Sequence, residues 1–549
     1  MSYLSFPQPS LPKVSALPTY RRTLGANELS YFLPSRAYGL NDCFGRLLFR
    51  APAGFVSPLR LHLVWAIMRL RSNLLACRIE MVPGCYDEAE FVYTPPASSS
   101  EALAEAEATS ALYNDITGPE LIKDFLGGPR KLSSHKLSRL EIACHGQVAP
   151  GVHEYHMVIM AHHSINEGLA IQKKFDLILQ LLAGSSSSGG PVRTDTELAK
   201  LLDFEWRTRW SVPHPEAGVI IPAAETRLSS GPRSRFHEAA WRVDDQIVQR
   251  RSIGGHMFPR VKCPTTKPRI VQVKFDAAQT RLIAAKCKAA RVTIQNAAFA
   301  LCNFAWIRLC AAHPELKAPK ELPMMMYTAI SLQRHLPPLP SLMGPMSLAL
   351  GYCNVVLPAF LPVDTDARRM FWARSRAAQR QVFAYSHSPL LPLRAQVVGA
   401  ARGARAKAFA RQDDEADGTL PRRPATPRAP AAAPSGPPPA PSIALLGTSH
   451  LGDITSIYHT DRYPSVELVD SIGGGRKAPG GMIFCTRTFL GRFNMFLVWD
   501  ADGFRAGIME EFWRNLVDGV HELLLEDPSG TAEERDCLMT AQPRGRGRL

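Results

Sequence analysis

The chain has 549 residues, long enough for two domain-sized cores. Hydrophobic residues at 46% and charged residues at 21% exclude wholesale disorder, and no uncharged run reaches the ~20 apolar residues that cross a bilayer. The net charge of +15 would attract polyanions, yet no basic-aromatic stacking motif or zinc-finger spacing accompanies it, so nucleic-acid binding is not expected.

Eleven cysteines are scattered singly without CxxC or Cys/His ligand spacing. That pattern predicts free thiols in a reducing compartment, with no disulfide framework and no metal site. The first residues, MSYLSFPQPSLPKVSALP, carry no basic segment followed by an apolar core, so a secretory signal is not expected and the location is read as cytoplasmic.

Residues 1–19 read as a flexible N-terminus. Periodicity then predicts a strand over 44–50, a helix over 59–71 with Pro58 at its first turn, and strands over 77–82 and 90–94. An Ala-rich helix over 101–113 precedes strands over 137–144 and 153–161. A helix over 169–182 ends before the Ser/Gly stretch 184–191, and another covers 196–210. Residues 211–267 form a Pro- and Gly-punctuated crossover.

The pattern restarts with a strand over 268–275 and helices over 276–290 and 293–312, for which Asp276 and Thr293 are N-cap candidates. Strands over 323–332 and 350–357 and a helix over 365–385 follow. Strands over 465–472, 482–490 and 493–499 then lead to a last helix over 508–525, with Phe512, Leu516, Val520, Leu523 and Leu524 on one apolar face. The basic residues Arg394, Arg402, Arg405, Lys407 and Arg411 fall in a stretch that reads as non-core.

From Pro421 to Pro441 there are nine prolines in 21 residues, preceded by Asp413, Asp414 and Glu415. Residues 413–441 are therefore read as a disordered insertion, inert, regulatory or a PxxP ligand. These elements predict an α/β protein of two lobes, each a mixed sheet flanked by helices, with an active-site channel between them. The first lobe covers 20–210, the second 268–412 and 442–526, and 527–549 is a basic tail.

The chemistry concentrates at His162-His163-Ser164-Ile165-Asn166-Glu167-Gly168, between an apolar strand and an amphipathic helix. With 16 histidines in the chain, a His pair with an acid and a Gly at this spacing arises by chance in roughly one such chain in a few hundred. A His pair can also simply open a helix. Strand ends, however, collect catalytic groups, and one imidazole held there can act as a general base. His163 is the expected base, kept neutral by the positive end of the following helix. His162 is expected to orient the loop, Glu167 to pair with a cation, and Gly168 to permit close backbone approach or an unusual dihedral angle. Asn166 or Ser164 is the expected helix N-cap.

This stretch resembles the HHxxxDG signature of the acyltransferase superfamily with the chloramphenicol acetyltransferase fold, which includes condensation domains and fungal alcohol acetyltransferases; Glu167 replaces the Asp. LGANELSYFL, LRSNLLACRIEM, RVTIQNAAFALCNFAWIRL, TAISLQRHLPP, ALGYCNVVLP and GTSHLGDI follow the family's order from about Tyr20 to about Leu525. DFGWG, the second signature of the BAHD acyltransferases, is absent, which favours the alcohol acetyltransferase and condensation-like branches. The resemblance implies that Arg334 pairs with Glu167 and that the GTSHLG turn, with Ser449 or Thr448, lines the channel, where a hydroxyl could steady an oxyanion or only cap a turn. Asn354 either fixes backbone near the channel or serves a turn. Thr486 and Thr488 share one strand face, which lines the donor tunnel or packs.

The expected activity is transfer of an acyl group from a thioester, with acyl-CoA as co-substrate and no tightly bound cofactor, to an alcohol or amine. The expected partners are the small-molecule acceptor and donor, or a carrier protein holding the donor, and the chain is expected to be a monomer. The alternatives are a catalytically inactive binding or scaffold protein and a condensation-type domain using carrier-bound substrates.

Overall fold

The computed structural model describes residues 18–184, 192–210, 214, 218–229, 234–263, 265–316, 321–338, 347–422, 440–525 and 533–536. Most of the predicted N-terminal segment, residues 185–191 of the Ser/Gly stretch, residues 423–439 of the Pro-rich insertion and most of the basic tail lie outside these described residues.

The first lobe is a five-stranded sheet in the order Glu467–Gly475, Cys43–Pro52, Val152–Ala161, Ser138–Ala149, Ser110–Tyr113. Val152–Ala161 lies inside this sheet and is covered on both faces, which explains its continuous apolar run. Met157 and Ile159 pack with Trp65, Phe175 and Ile178 of the helices Pro58–Arg71 and Gly168–Leu182. On the opposite face, Val158 and Met160 pack with Phe125 of the helix Gly118–Gly127 and with Ile270, Phe496 and Val498 of the second sheet. The two lobes thus share buried apolar surface directly behind the His motif. A small sheet, Tyr20–Thr23, Glu90–Tyr93 and Arg78–Glu80, completes the first half.

The second lobe is a seven-stranded sheet ordered Leu350–Leu357, Met324–Ser331, Ala444–Asp453, Met482–Phe489, Arg492–Asp500, Pro268–Lys274, Glu533–Asp536. Helices Ala277–Ala289, Ile294–Ala312, Ala367–Ser386 and Ile508–Val520 contribute to its core. Asp276 and Thr293 cap the first two as expected, each accepting a hydrogen bond from a backbone N–H three residues on. The five apolar residues picked from the last helical stretch are all buried in this core. Each cysteine among the described residues is free. No helix among the described residues is long and apolar enough to cross a membrane.

Four local expectations change. Residues 101–113 split into a helix, Ser99–Glu107, and an edge strand, Ser110–Tyr113; the Thr109 and Ser110 hydroxyls bond back to carbonyls of the helix end, and the chain then pairs with Ser138–Ala149. The crossover contains a helix, Arg235–Arg251, capped by Ser234. The strand Glu467–Gly475, placed by sequence in the second lobe, pairs antiparallel with Cys43–Pro52 of the first. Its run of three glycines permits this close seating, because a Cβ on Gly475 would meet the Asp42 carbonyl oxygen at 2.8 Å.

The fourth change bears on the site. The stretch read as non-core is a helix, Leu391–Ala416, which takes in the Asp413–Glu415 run assigned to the insertion. Leu391, Ala395, Gly399, Gly403, Ala406, Ala410 and Asp414 are its buried residues, a seam of mostly small side chains three or four apart. The seam packs on the helix Ala26–Ser35, where a Cβ on Gly403 would meet the Ala26 carbonyl oxygen at 2.9 Å. Asp414 is buried and accepts from Arg36 and from the Tyr86 hydroxyl, so its charge is compensated by the first lobe.

Candidate active site

The apolar strand Val152–Ala161 ends between Cys43 and Ser138 of its two neighbours, and the chain then turns through a short 3-10 segment, His163–Ile165, into the helix Gly168–Leu182. His162 is 1% exposed. Its Nδ1 accepts from the Ser164 backbone N–H (3.3 Å) and lies 2.7 Å from the Ser164 hydroxyl. The ring proton therefore sits on Nε2, which donates to Ser35 Oγ at 2.5 Å, and Ser35 in turn donates to the Phe32 carbonyl. This chain of bonds ties the motif to the helix Ala26–Ser35. Burial pushes the His162 imidazole down to about 3, so it is a neutral brace.

His163 faces the other way, into a cavity of about 380 Å³ lined by both lobes. Its ring stacks on Tyr31 with centroids 4.1 Å apart and planes 13° from parallel. Nδ1 is sealed from solvent without a hydrogen-bond partner within bonding geometry, which leaves Nε2 as the nitrogen that meets the cavity. Burial pushes this imidazole down to about 4; the backbone at His163 and Asn166 opposes the shift, while the Lys477 and Arg402 charges reinforce it. Burial is thus the main source of neutrality, and two cations add to it.

The remaining motif residues hold the lobes together. Glu167, 3% exposed, accepts from Gln333 Nε2 and from the Ala349 backbone N–H, both at 3.3 Å and both in the second lobe. The expected clamp by Arg334 does not form. Gln333 and Arg334 are adjacent on one short 3-10 turn, and Gln333 turns inward while Arg334 donates to the Ser386 carbonyl. With no cation hydrogen-bonded to it, burial raises the Glu167 carboxyl to about 7, against the smaller opposing effects of Gln333, the Ala349 N–H and the Lys173 and Lys174 charges. Gly168 provides close approach at an ordinary dihedral angle: a Cβ there would meet Leu451 Cδ2 of the second lobe at 2.8 Å. Neither Asn166 nor Ser164 caps the helix; the N-cap position is Glu167, and Asn166 instead accepts from the buried Lys174 Nζ at 2.7 Å.

Across the cavity lies the strand Ala444–Asp453. Ser449 lines the cavity with its hydroxyl uncommitted, whereas the Thr448 hydroxyl donates to the Tyr327 carbonyl. Next to Ser449, His450 bonds Thr486 Oγ1 through Nδ1 (2.7 Å) and keeps a buried, unpartnered Nε2. Thr486 is thus committed to His450, and the opposite face of its strand, with Cys485 and Arg487, reaches the cavity. Asn354 is exposed and donates to Ser252, away from the cavity lining. No group of three or more His, Cys, Asp or Glu among the described residues is arranged to hold a metal.

Tyr31, Tyr352, Arg402, His450 and Lys477 also line the cavity, and none of them was named as a site residue from the sequence, although Tyr31, Tyr352 and His450 lie in stretches that carry the resemblance. The Arg402 guanidinium lies over the rings of Tyr352 (4.0 Å) and Tyr31 (5.5 Å), whose hydroxyls are 2.6 Å apart. The small-residue seam flanking Arg402 was the one available signal, because it marks a packed helix in which Arg402 lies beside the contact face.

No family model matches the chain, and no curated protein sequence does. Solved structures do match it. A trichothecene 15-O-acetyltransferase, TRI3 from Fusarium sporotrichioides, is 13% identical with a TM-score of 0.61, covering 93% of this chain and 98% of its own. The epimerization domain from the third module of tyrocidine synthetase B is 7% identical with a TM-score of 0.53, covering 94% and 99%. The EpoB cyclization-docking bidomain of a nonribosomal peptide synthetase from Sorangium cellulosum is 9% identical with a TM-score of 0.52, covering 92% and 86%. The chain therefore has the two-lobed, chloramphenicol acetyltransferase-like fold of acetyltransferases and condensation-type domains.

Proposed function

We propose that the protein is an acyltransferase that carries an acyl group from a thioester, acyl-CoA as donor, to a hydroxyl or amine of a small acceptor. The observation that carries this reading is a neutral His163 whose Nε2 opens into a cavity built by both lobes. Nε2 takes the acceptor's proton as its oxygen or nitrogen attacks the thioester carbonyl carbon. A tetrahedral oxyanion forms, collapses, and expels the thiolate, which recovers the proton from the imidazolium. The thioester is already activated, so no covalent enzyme intermediate is required.

The supporting parts have distinct tasks. His162 braces the loop, Tyr31 fixes the plane of the His163 ring, and the free Ser449 hydroxyl is available to donate to the oxyanion. A donor of that kind contributes about 2.7–4 kcal/mol to barrier lowering. Glu167 joins the motif to the second lobe through two neutral donors, which supplies the positioning for which the family uses an Asp with an Arg. The fold it shares with an acetyltransferase and with synthetase domains agrees with this reading.

Thiol release from acetyl-CoA and longer acyl-CoAs, with mixed alcohols and amines, tests the proposal. The expected result is release that depends on the acceptor and produces the acylated product. Release unchanged by any acceptor, or none across the panel from a folded sample, would contradict it.

A further inference from the structure

The cavity carries far more positive charge than its own walls balance. Among its lining residues are Arg402, Lys477 and Arg487, against one carboxyl, that of Glu167. Lys477, on the turn between the strands Glu467–Gly475 and Met482–Phe489, makes no hydrogen bond or ion pair, and the groups that favour its charge are only the thiols of Cys485 and Cys43. Arg402 donates to Ser30 Oγ at 3.3 Å and stacks on two tyrosines, but its Nε is buried without a partner and no carboxylate pairs with it. Arg487 is held by Ser471 and shares Asp470, which already pairs with Arg46 and Lys274. Cations left unpaired in a closed site are costly, and a site that keeps them is built for an anion that arrives with the ligand.

We propose that the substrate entering this cavity carries an anionic group, a carboxylate or a phosphate ester, held by Lys477 and Arg402, which line the same cavity as His163. The charges of both reach the imidazole, so both act where the substrate must lie. They come from different elements, a strand turn and the long helix Leu391–Ala416, so the cavity draws its cations from two parts of the chain. Arg402 offers a planar guanidinium fixed by its tyrosines, suited to a carboxylate or phosphate edge, and Lys477 a mobile point charge. The anion belongs to the acceptor or to the far end of the acyl chain, which share this chemistry. The inference deepens the acyl-transfer reading by naming the substrate class, and equilibrium binding tests it without turnover.

Binding is measured by calorimetry on the full chain with matched probes. One arm compares hydroxybenzoates and short hydroxy acids with their methyl esters. The other compares succinyl-CoA with butyryl-CoA, in which the coenzyme phosphates are common to both. At least one arm should show the anionic probe binding tenfold or more tighter. The ratio should fall to within about twofold in Lys477→Met and decrease in Arg402→Gln. Because each ratio is taken within one protein preparation, partial misfolding of a variant does not alter it. No anionic preference in either arm overturns the proposal, as does a preference that survives both substitutions. If Lys477→Met lowers turnover of acids and esters alike with the binding ratio intact, the lysine serves the oxyanion and the proposal is overturned. Loss of acyl transfer alone leaves the binding ratios, and hence this inference, standing.

Discussion

His163→Ala should lower kcat/KM for acyl transfer by roughly 10²–10⁴-fold, the usual contribution of a general base, while leaving the fold intact. The substitution removes the imidazole whose Nε2 meets the cavity and whose Nδ1 has no partner. Its structural cost is small for the same reason: no hydrogen bond is broken, and the stacking contact with Tyr31 is worth about 0.5–1.5 kcal/mol. Steady-state kinetics combined with thermal unfolding separates the two effects. Activity within a few-fold of the original protein would remove His163 from the mechanism.

The neighbouring His162→Ala should show the opposite balance, with a large loss of stability from which the loss of activity follows. It leaves the buried Ser164 N–H unpaired and takes away the Ser35 bond, each worth about 1–3 kcal/mol, and opens a cavity in a site 1% exposed. The loss should also depend on pH. In the unfolded chain this imidazole titrates near 6.5, and in the native protein burial holds it near 3. Stability from the neutral native ring is therefore complete above about pH 6.5 and is lost as pH falls towards 3. Urea unfolding should show a destabilisation about 2 kcal/mol smaller at pH 5 than at pH 7.5, since 1.5 pH units below the unfolded pKa correspond to that amount. A pH-independent difference would mean that the native ring takes up its proton over the same range as in the unfolded chain, unshifted by burial.

The difference between these two histidines was only partly legible in the sequence. Adjacent residues at the end of a strand point to opposite sides, so one of the pair was bound to face the core and the other the lobe junction; alternation alone does not say which, and the structure turns His162 inward and His163 to the cavity. The strand before the motif, the helix after it and the caps at Asp276 and Thr293 were readable because each rests on local periodicity or local hydrogen bonding. Long-range pairings were not. Glu467–Gly475 joins the first lobe across more than 400 residues of chain, and no local pattern encodes its partner. The choice of Gln333 over Arg334 as the Glu167 partner turns on which way one 3-10 turn faces. Arg402 and Lys477 were hidden by the opposite problem, since basic residues in a basic chain read as solvated surface until packing shows that they line a cavity.

That an uncharged His163 takes the acceptor's proton is tested most directly by titrating its ring. With ¹⁵N-labelled histidine, and the His163 signals assigned by their loss in the alanine variant, imidazole shifts report both protonation and tautomer between pH 4 and 8. The account predicts a neutral ring, with its proton on Nδ1, throughout the range above pH 5, and a midpoint near the value of about 4 that burial imposes. A midpoint at 6.5 or above, or a ring whose proton sits on Nε2, would contradict it.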